Sequence, residues 1–343
     1  PMRTLTRSQV EQSLPFHACM QAMREAMQRT SAGACTLPLR QFMPIPERAG
    51  KLGLMPGYLG GDADCFGVKI VSKYERPAND PHGSHVGAVM IFEAATGLPI
   101  ALLEGGALTA IRTAAMTAVA TDVLARDDAR TLLMVGTGEE AWTHARALQY
   151  ARPFTHLQLW GRSPQHAEAL RERLQHWRVT QEQAGDQHFA GSAPEIEVVY
   201  DLPSACKEAD VICTVTSAKT PFFRGAWLSA GTHINLVGSA VATTAEADTE
   251  VVSRSRFFVD YRPAALAAAG ELLTAIREGV VTEAHIAAEI GEVLSDPLCG
   301  RRERSDITVY KSLGVTTQDL AAALLALQQA QALGIGENLK LAD

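Results

Sequence analysis

Leu132-Leu133-Met134-Val135-Gly136-Thr137-Gly138-Glu139-Glu140-Ala141 is the stretch that decides the fold. Its apolar run reads as a buried parallel strand, and the break into Gly-x-Gly-x-x-Ala reads as the turn into a helix. Two glycines let a backbone turn tightly and approach a pyrophosphate, while the N–H groups at the start of the following helix face the phosphates. Gly136, Thr137, Gly138 and Glu139 are therefore candidate cofactor contacts. The motif alone is weak, because glycine turns between strands and helices are common, so the flanking sequence has to carry the reading.

Working outward, Glu139 to Ala151 reads as a helix, His156 to Trp160 as a second strand, and Pro164 to Trp177 as a second helix with proline in its first turn. Ile196 to Tyr200, Val211 to Thr216, His233 to Gly238 and Phe257 to Asp260 read as further strands, with a helical turn from Pro203 to Lys207. Strands alternating with helices at this spacing predict an α/β fold with a Rossmann-type doubly wound parallel sheet. The sheet begins only after about a third of the chain, so another domain is built first. There, a helix from Ser8 to Ala32 precedes strand-like segments at Thr36 to Met43, Lys51 to Tyr58, Phe66 to Ser72 and Val86 to Glu93. An Ala/Thr-rich helix from Leu108 to Ala125 connects the two parts. A Leu/Ala-rich helix from Thr317 to Ala332 follows the last nucleotide-domain strand and is expected to return to the first domain, making that α+β domain discontinuous.

The chain has 343 residues, 47% hydrophobic and 20% charged, as expected of a soluble globular enzyme. A net charge of -7 gives no electrostatic reason to expect nucleic acid or an anionic membrane as partner. No signal-peptide pattern is seen, and no apolar stretch reads as long enough to span a bilayer. The six cysteines show no C-x-x-C spacing, so reduced thiols and a cytoplasmic location are expected, and no metal site.

The second nucleotide strand carries the choice of cofactor. An acid at its end would accept the ribose hydroxyls of NAD and repel a 2'-phosphate. Here Trp160 is followed by Gly161, Arg162 and Ser163, which can hold a phosphate, so NADPH is expected, with NADH as the alternative.

Three further segments, together with the glycine turn, carry a resemblance. Glu104-Gly105-Gly106-Ala107-Leu108-Thr109-Ala110-Ile111-Arg112-Thr113-Ala114-Ala115, with Gly136-Thr137-Gly138, Asn235-Leu236-Val237-Gly238 and Tyr310-Lys311-Ser312-Leu313-Gly314, resembles the ornithine cyclodeaminase/mu-crystallin family. The likeness covers nearly the whole chain, and Leu-Thr-Ala-x-Arg-Thr-Ala-Ala is far more specific than the glycine turn. The resemblance implies a homodimer. Residues 1–115, completed by 316–343, would form a substrate-binding and dimerisation domain, and 116–315 the NAD(P)-binding domain. It further implies a substrate with an imine or amine next to a carboxylate.

That chemistry explains the basic residues. A carboxylate is best clamped by guanidinium groups, and an imine nitrogen must gain a proton as hydride reaches its carbon. Arg40 and Arg112 match the family's carboxylate-binding arginines and Lys69 its lysine near the reacting nitrogen; Lys69 and Arg112 are the candidate catalytic residues. Flanked by Val68 and Ile70, Lys69 should be partly desolvated, with a lowered pKa. The resemblance places groups near the nicotinamide where Ser84 and His85 stand; Ser84 and Arg112 are candidate cofactor contacts and His85 a candidate substrate contact. Thr214 and Thr216 at a strand end, Val237 and Gly238 in the later turn, and Lys311 and Ser312 complete the candidate cofactor contacts.

One departure bears on the reaction. Cyclodeaminases of the family carry an Asp where this chain has Ala240, and the nearest carboxylate is Glu246, expected on the next helix. The expectation is therefore NADPH-dependent reduction of a cyclic ketimine, 1-pyrroline-2-carboxylate or 1-piperideine-2-carboxylate, to proline or pipecolate. An open-chain imino acid reductase of the alanine or iminosuccinate type, an ornithine cyclodeaminase and a non-catalytic nucleotide-dependent ligand binder are the alternatives.

Overall fold

The computed structural model describes residues 1–74, 80, 82 and 86–340. The chain divides into two compact units, 1–113 with 315–343, and 114–314.

The first unit opens with β1 (Met2–Leu5), α1 (Arg7–Ser13) and α2 (Phe16–Ser31). The single helix expected from Ser8 to Ala32 is thus two helices. Pro15 is the reason, since its ring and missing N–H break an i to i−4 ladder and hold the preceding residue out of helical geometry. Next come β2 (Gln41–Pro44), β3 (Gly50–Leu59), β4 (Cys65–Tyr74), β5 (Val86–Glu93) and β6 (Pro99–Glu104). The strand expected from Thr36 is confined to Gln41–Pro44, with Thr36 making only an isolated bridge to Tyr58. Residues alternate between the faces of β4, so Cys65, Gly67, Lys69 and Val71 are buried while Phe66 and Ile70 are exposed.

α3 (Gly105–Leu124) leads into the second unit. It is 20 residues long with a mean hydropathy of 1.2 over its most apolar window, which corrects the expectation that no stretch has membrane-spanning length. Because 83% of that window is buried inside the protein, packing accounts for its apolarity.

The second unit contains β7 (Thr131–Val135), α4 (Glu139–Ala147), β8 (His156–Trp160), α5 (Pro164–Gln183), β9 (Glu195–Val198), α6 (Leu202–Glu208), β10 (Val211–Thr214) and β11 (His233–Leu236). It continues through α7 (Thr249–Ser253), β12 (Ser255–Val259), α8 (Arg262–Ala268), α9 (Gly270–Arg277), β13 (Ile286–Glu289), α10 (Ile290–Ser295) and β14 (Ile307–Lys311). These eight strands form one sheet in the order β13-β12-β14-β11-β10-β7-β8-β9, and every pairing is parallel. From β9 through β11 this is the Rossmann order, which reverses between β7 and β10; ligands of open α/β sheets bind at that switch point, beyond the carboxyl ends of the strands.

α11 (Thr316–Leu333) and β15 (Glu337–Leu339) return to the first unit. There the sheet order is β15-β1-β6-β5-β4-β3-β2, and α11 packs on α2 and on β3 to β5.

Candidate active site

In the second unit, the turn after β7 has the geometry its glycines predict. Gly136 adopts φ +129°, a conformation open to glycine, and a Cβ there would lie 3.0 Å from the Val215 carbonyl. Gly138 is different. It caps α4 in ordinary extended geometry with no side-chain cap, and a Cβ added to it would meet nothing within 4 Å. The N-terminus of α4 therefore faces open space at the switch point, the arrangement a pyrophosphate needs. Thr137 packs where a Cβ on Gly161 would fall, at 2.5 Å, which ties the turn to the end of β8. Arg162 is exposed and, among the described residues, has no ion-pair partner, while Ser163 caps α5 by accepting from the His166 amide. These residues fit a dinucleotide, and the missing acid at the end of β8 leaves room for a 2'-phosphate.

Of the later candidates of this unit, Thr214, Lys311 and Ser312 are buried, Thr216 and Val237 are partly buried and Gly238 is exposed. Thr214 is fully buried and donates to Glu246 Oε2 at 2.8 Å; the Thr216 amide and hydroxyl both donate to Oε1 at 2.7 Å. The Gly238 amide donates to Oε2 at 2.8 Å, and the Val237 amide donates to the Thr214 carbonyl. Lys311 is fully buried, with its ammonium 2.9 Å from Glu271 Oε2 and donating to the Ser239 carbonyl. Ser312 is buried, and its amide donates to the Leu236 carbonyl. The Thr214 hydroxyl and the Lys311 ammonium are thus engaged inside the protein rather than presented to a ligand, because Glu246 and Glu271 need their donors. Glu246 lies in the loop ahead of α7, not on a helix as expected from sequence. Burial raises its pKa, against Thr216, Thr214 and Lys311, which lower it.

In the first unit, Lys69 and Arg112 meet on a residue the sequence did not single out. Lys69 sits mid-strand on β4 between Met55 of β3 and Val89 of β5 and is 4% exposed. Its Nζ lies 3.1 Å from Asp319 Oδ1, and Arg112 Nε donates to that same oxygen at 2.8 Å. Arg112 Nη1 donates to Gln318 Oε1 at 2.9 Å, and Lys69 makes a longer contact of 3.4 Å to the Thr109 hydroxyl. Asp319 lies in the first turn of α11, where a helix N-terminus favours a carboxylate. Burial would raise its pKa, but Arg112 and Lys69 outweigh burial and hold it below the usual value.

Desolvation pushes Lys69 down to about 7; Arg112 and Arg40 add to the drop and Asp319 opposes it. Arg40, partly exposed before β2, bears electrostatically on both Lys69 and Lys73. Ser84 and His85 lie outside the described residues. Asp319 had a signal in the sequence, as the lone charged residue of an apolar helix, but its partners lie far away in the chain.

The comparisons with known proteins cover nearly the same length. The model of the ornithine cyclodeaminase/mu-crystallin family matches residues 2–333. Ketimine reductase mu-crystallin of Mus musculus is 33% identical over 293 residues, 85% of each chain. Delta(1)-pyrroline-2-carboxylate reductase of Bacillus cereus is 33% identical over 318 residues, 92% of each chain. Among solved structures, Thermococcus litoralis Delta(1)-pyrroline-2-carboxylate reductase in complex with NADH and L-proline has a TM-score of 0.88 at 30% identity, covering 98% of this chain and all of that one.

Proposed function

The chain belongs to the ornithine cyclodeaminase/mu-crystallin family, and we propose that it is an NAD(P)H-dependent oxidoreductase that reduces a cyclic ketimine bearing a carboxylate. 1-Pyrroline-2-carboxylate or 1-piperideine-2-carboxylate would give proline or pipecolate. The observation that carries this reading is the buried lysine with a pKa near 7 beside a buried arginine, in a chain similar to two named imine reductases.

The nicotinamide, when bound, supplies hydride to the imine carbon. Lys69 holds the proton for the nitrogen, since a pKa near the working pH lets an amine both keep and give up a proton. As the C=N π bond breaks, its electron pair takes that proton; a C–H and an N–H bond have formed, and solvent reprotonates Lys69. Arg112 and Arg40 hold the substrate carboxylate and add positive charge that makes the imine carbon more electrophilic. Gly136 to Glu139 hold the pyrophosphate, and Arg162 with Ser163 favours NADPH over NADH.

Cyclodeamination is disfavoured by the state of Glu246. No carboxylate stands at Ala240, and Glu246 is committed to Thr214, Thr216 and Gly238. A homodimer is supported by the outer face of the first unit's sheet. Phe66 and Ile70 are 37% and 40% exposed there, and Phe66 stacks on Phe92 of β5. Light scattering on wild type and Ile70→Glu tests the dimer, with only the variant expected to be monomeric.

The function is tested by following oxidation of NADPH and of NADH with each ring imine, and with pyruvate or oxaloacetate plus ammonium. Turnover of a preformed ring without ammonium is expected. Turnover confined to the ammonium mixtures would replace this reading with open-chain reductive amination.

A further inference from the structure

Asp319 gives one oxygen to two cations and leaves the other oxygen bare. Its side chain is 1% exposed, and Oδ2 is buried with no hydrogen-bond partner among the described residues. A carboxylate added for stability alone would be expected to satisfy both oxygens, so its placement needs another reason.

The geometry around Oδ1 supplies that reason. It draws the Lys69 ammonium to 3.1 Å and the Nε edge of Arg112 to 2.8 Å, and Gln318 beside it takes Nη1. Among the described residues Arg112 Nη2 makes no hydrogen bond, so Nε and Nη1 are held in place and Nη2 is the guanidinium nitrogen left to present. All three groups ride on rigid elements: Lys69 on β4 between two paired strands, Arg112 on α3, and Asp319 on α11. The charged groups that bear on Lys69 are Asp319 from α11, Arg112 from α3 and Arg40 ahead of β2, and Thr109 of α3 is its remaining polar contact. Among the described residues that bear most on Lys69, Asp319 is thus the one carboxylate, set against the cations Lys69, Arg112 and Arg40.

Resting on the reading of the site as an imine reductase, we propose that Asp319 is its positioning residue. Through Oδ1 it keeps Lys69 protonated as donor to the substrate nitrogen and turns Arg112 so that its Nη2 takes the substrate carboxylate. Asp319 touches neither substrate nor cofactor and stays ionised throughout. The proton that moves is on Lys69: its N–H bond breaks as the substrate N–H bond forms, and the neutral amine recovers a proton from solvent. Without the Asp319 charge, Lys69 would lie buried among guanidinium groups and surrender its proton at a lower pH.

The test uses the full chain with Asp319→Asn. The lysine 13Cε resonance of Lys69, followed against pH with no ligand added, should titrate near pH 7 in wild type and at least one pH unit lower in the variant. With 1-pyrroline-2-carboxylate, the alkaline limb of kcat/KM should shift down by the same amount and KM should rise at least tenfold. The Lys69→Met/Asp319→Asn variant, which carries no buried lysine–carboxylate pair, should have a kcat no more than about threefold below that of Lys69→Met, as expected of two residues acting through one another, while the rise in KM that comes through Arg112 should persist. An unmoved Lys69 titration, or an Asp319→Asn effect on kcat as large with Lys69→Met as without it, overturns the proposal. If the titration moves but no imine is reduced by wild type, the positioning stands and the assigned reaction falls.

Discussion

Gly238 and Glu246 are in direct contact: the glycine amide donates to Oε2 at 2.8 Å, and a Cβ at position 238 would lie 2.4 Å from Oε1. The glycine and the carboxylate therefore specify each other, and together with Thr214 and Thr216 they tie the loop before α7 to the ends of β10 and β11. Glu246→Ala should cost about 2–4 kcal/mol, because it leaves the buried Thr214 hydroxyl and three partly buried donors of Thr216 and Gly238 without their acceptor. Glu246→Gln should recover only part of this, since its NH2 would face groups that themselves donate. Urea unfolding at pH 7.5 measures both, and a Gln variant as stable as wild type would contradict the assigned bonding.

The two glycines of the first turn should fail in different ways. Gly136→Ala is forced into φ +129° against the Val215 carbonyl and should lose about 1–3 kcal/mol of stability. Gly138→Ala meets nothing in the protein and should change stability by no more than about 0.5 kcal/mol. Its methyl group instead enters the space assigned to the pyrophosphate, so NADPH binding, read by nucleotide fluorescence, should weaken at least tenfold. Unchanged binding by Gly138→Ala would place the nucleotide elsewhere.

Arg162→Glu puts an acid where the sequence lacks one. NADPH affinity should fall at least tenfold, and NADH affinity should hold or rise, because an acid there repels the 2'-phosphate and can accept the ribose hydroxyls of NADH. Titration of each nucleotide gives the ratio, and equal losses for both would mean that Arg162 does not read the phosphate.

Two buried histidines make the second unit sensitive to acid. Desolvation pushes His144 down to about 4, partly offset by its bond to the Glu140 carbonyl, and His233 down to about 3, partly offset by Asn235. Both values lie below the ordinary 6.5, so the folded state refuses protons that the unfolded chain accepts as pH falls. The stability they contribute is present above pH 6.5 and is lost progressively toward pH 4 and pH 3. Below about pH 5.5 the pair should remove roughly 3 kcal/mol per pH unit. Unfolding free energies at pH 7.5, 6.0, 5.0 and 4.5 test the slope, which should be shallower in His144→Gln.

The parts of this structure that were legible in the sequence share a physical cause. β7, β8 and β10 are apolar runs bounded by glycine, proline or acidic turns, so their type and approximate ends could be read locally. β1, β6 and β15 are short, and their pairing joins the two ends of the chain, so no local pattern announced them. The break at Pro15 was written in the sequence and outweighed by the helical spacing around it. At the site, Lys69 and Arg112 could be named from motif, but Asp319 becomes their partner only through contacts more than two hundred residues apart in the chain. Glu246 was noticed as the nearest acid to Ala240, yet its bonds to Thr214 and Thr216 depend on the path of a loop.

The division of the chain at Thr113 and Val315 sets an order of events during synthesis. Residues 114–314 are continuous and can complete their core as they leave the ribosome, whereas the first unit must hold an unfinished sheet open until α11 emerges. Until then Lys69 and Arg112 have no Asp319 to meet, and the apolar faces of β3 to β5 lack their covering helix. Closing so long a loop makes the unit with the chemistry the last to mature. A nascent chain stalled or clipped shortly before Val315 would therefore carry a finished parallel-sheet unit and an unprotected, aggregation-prone first unit.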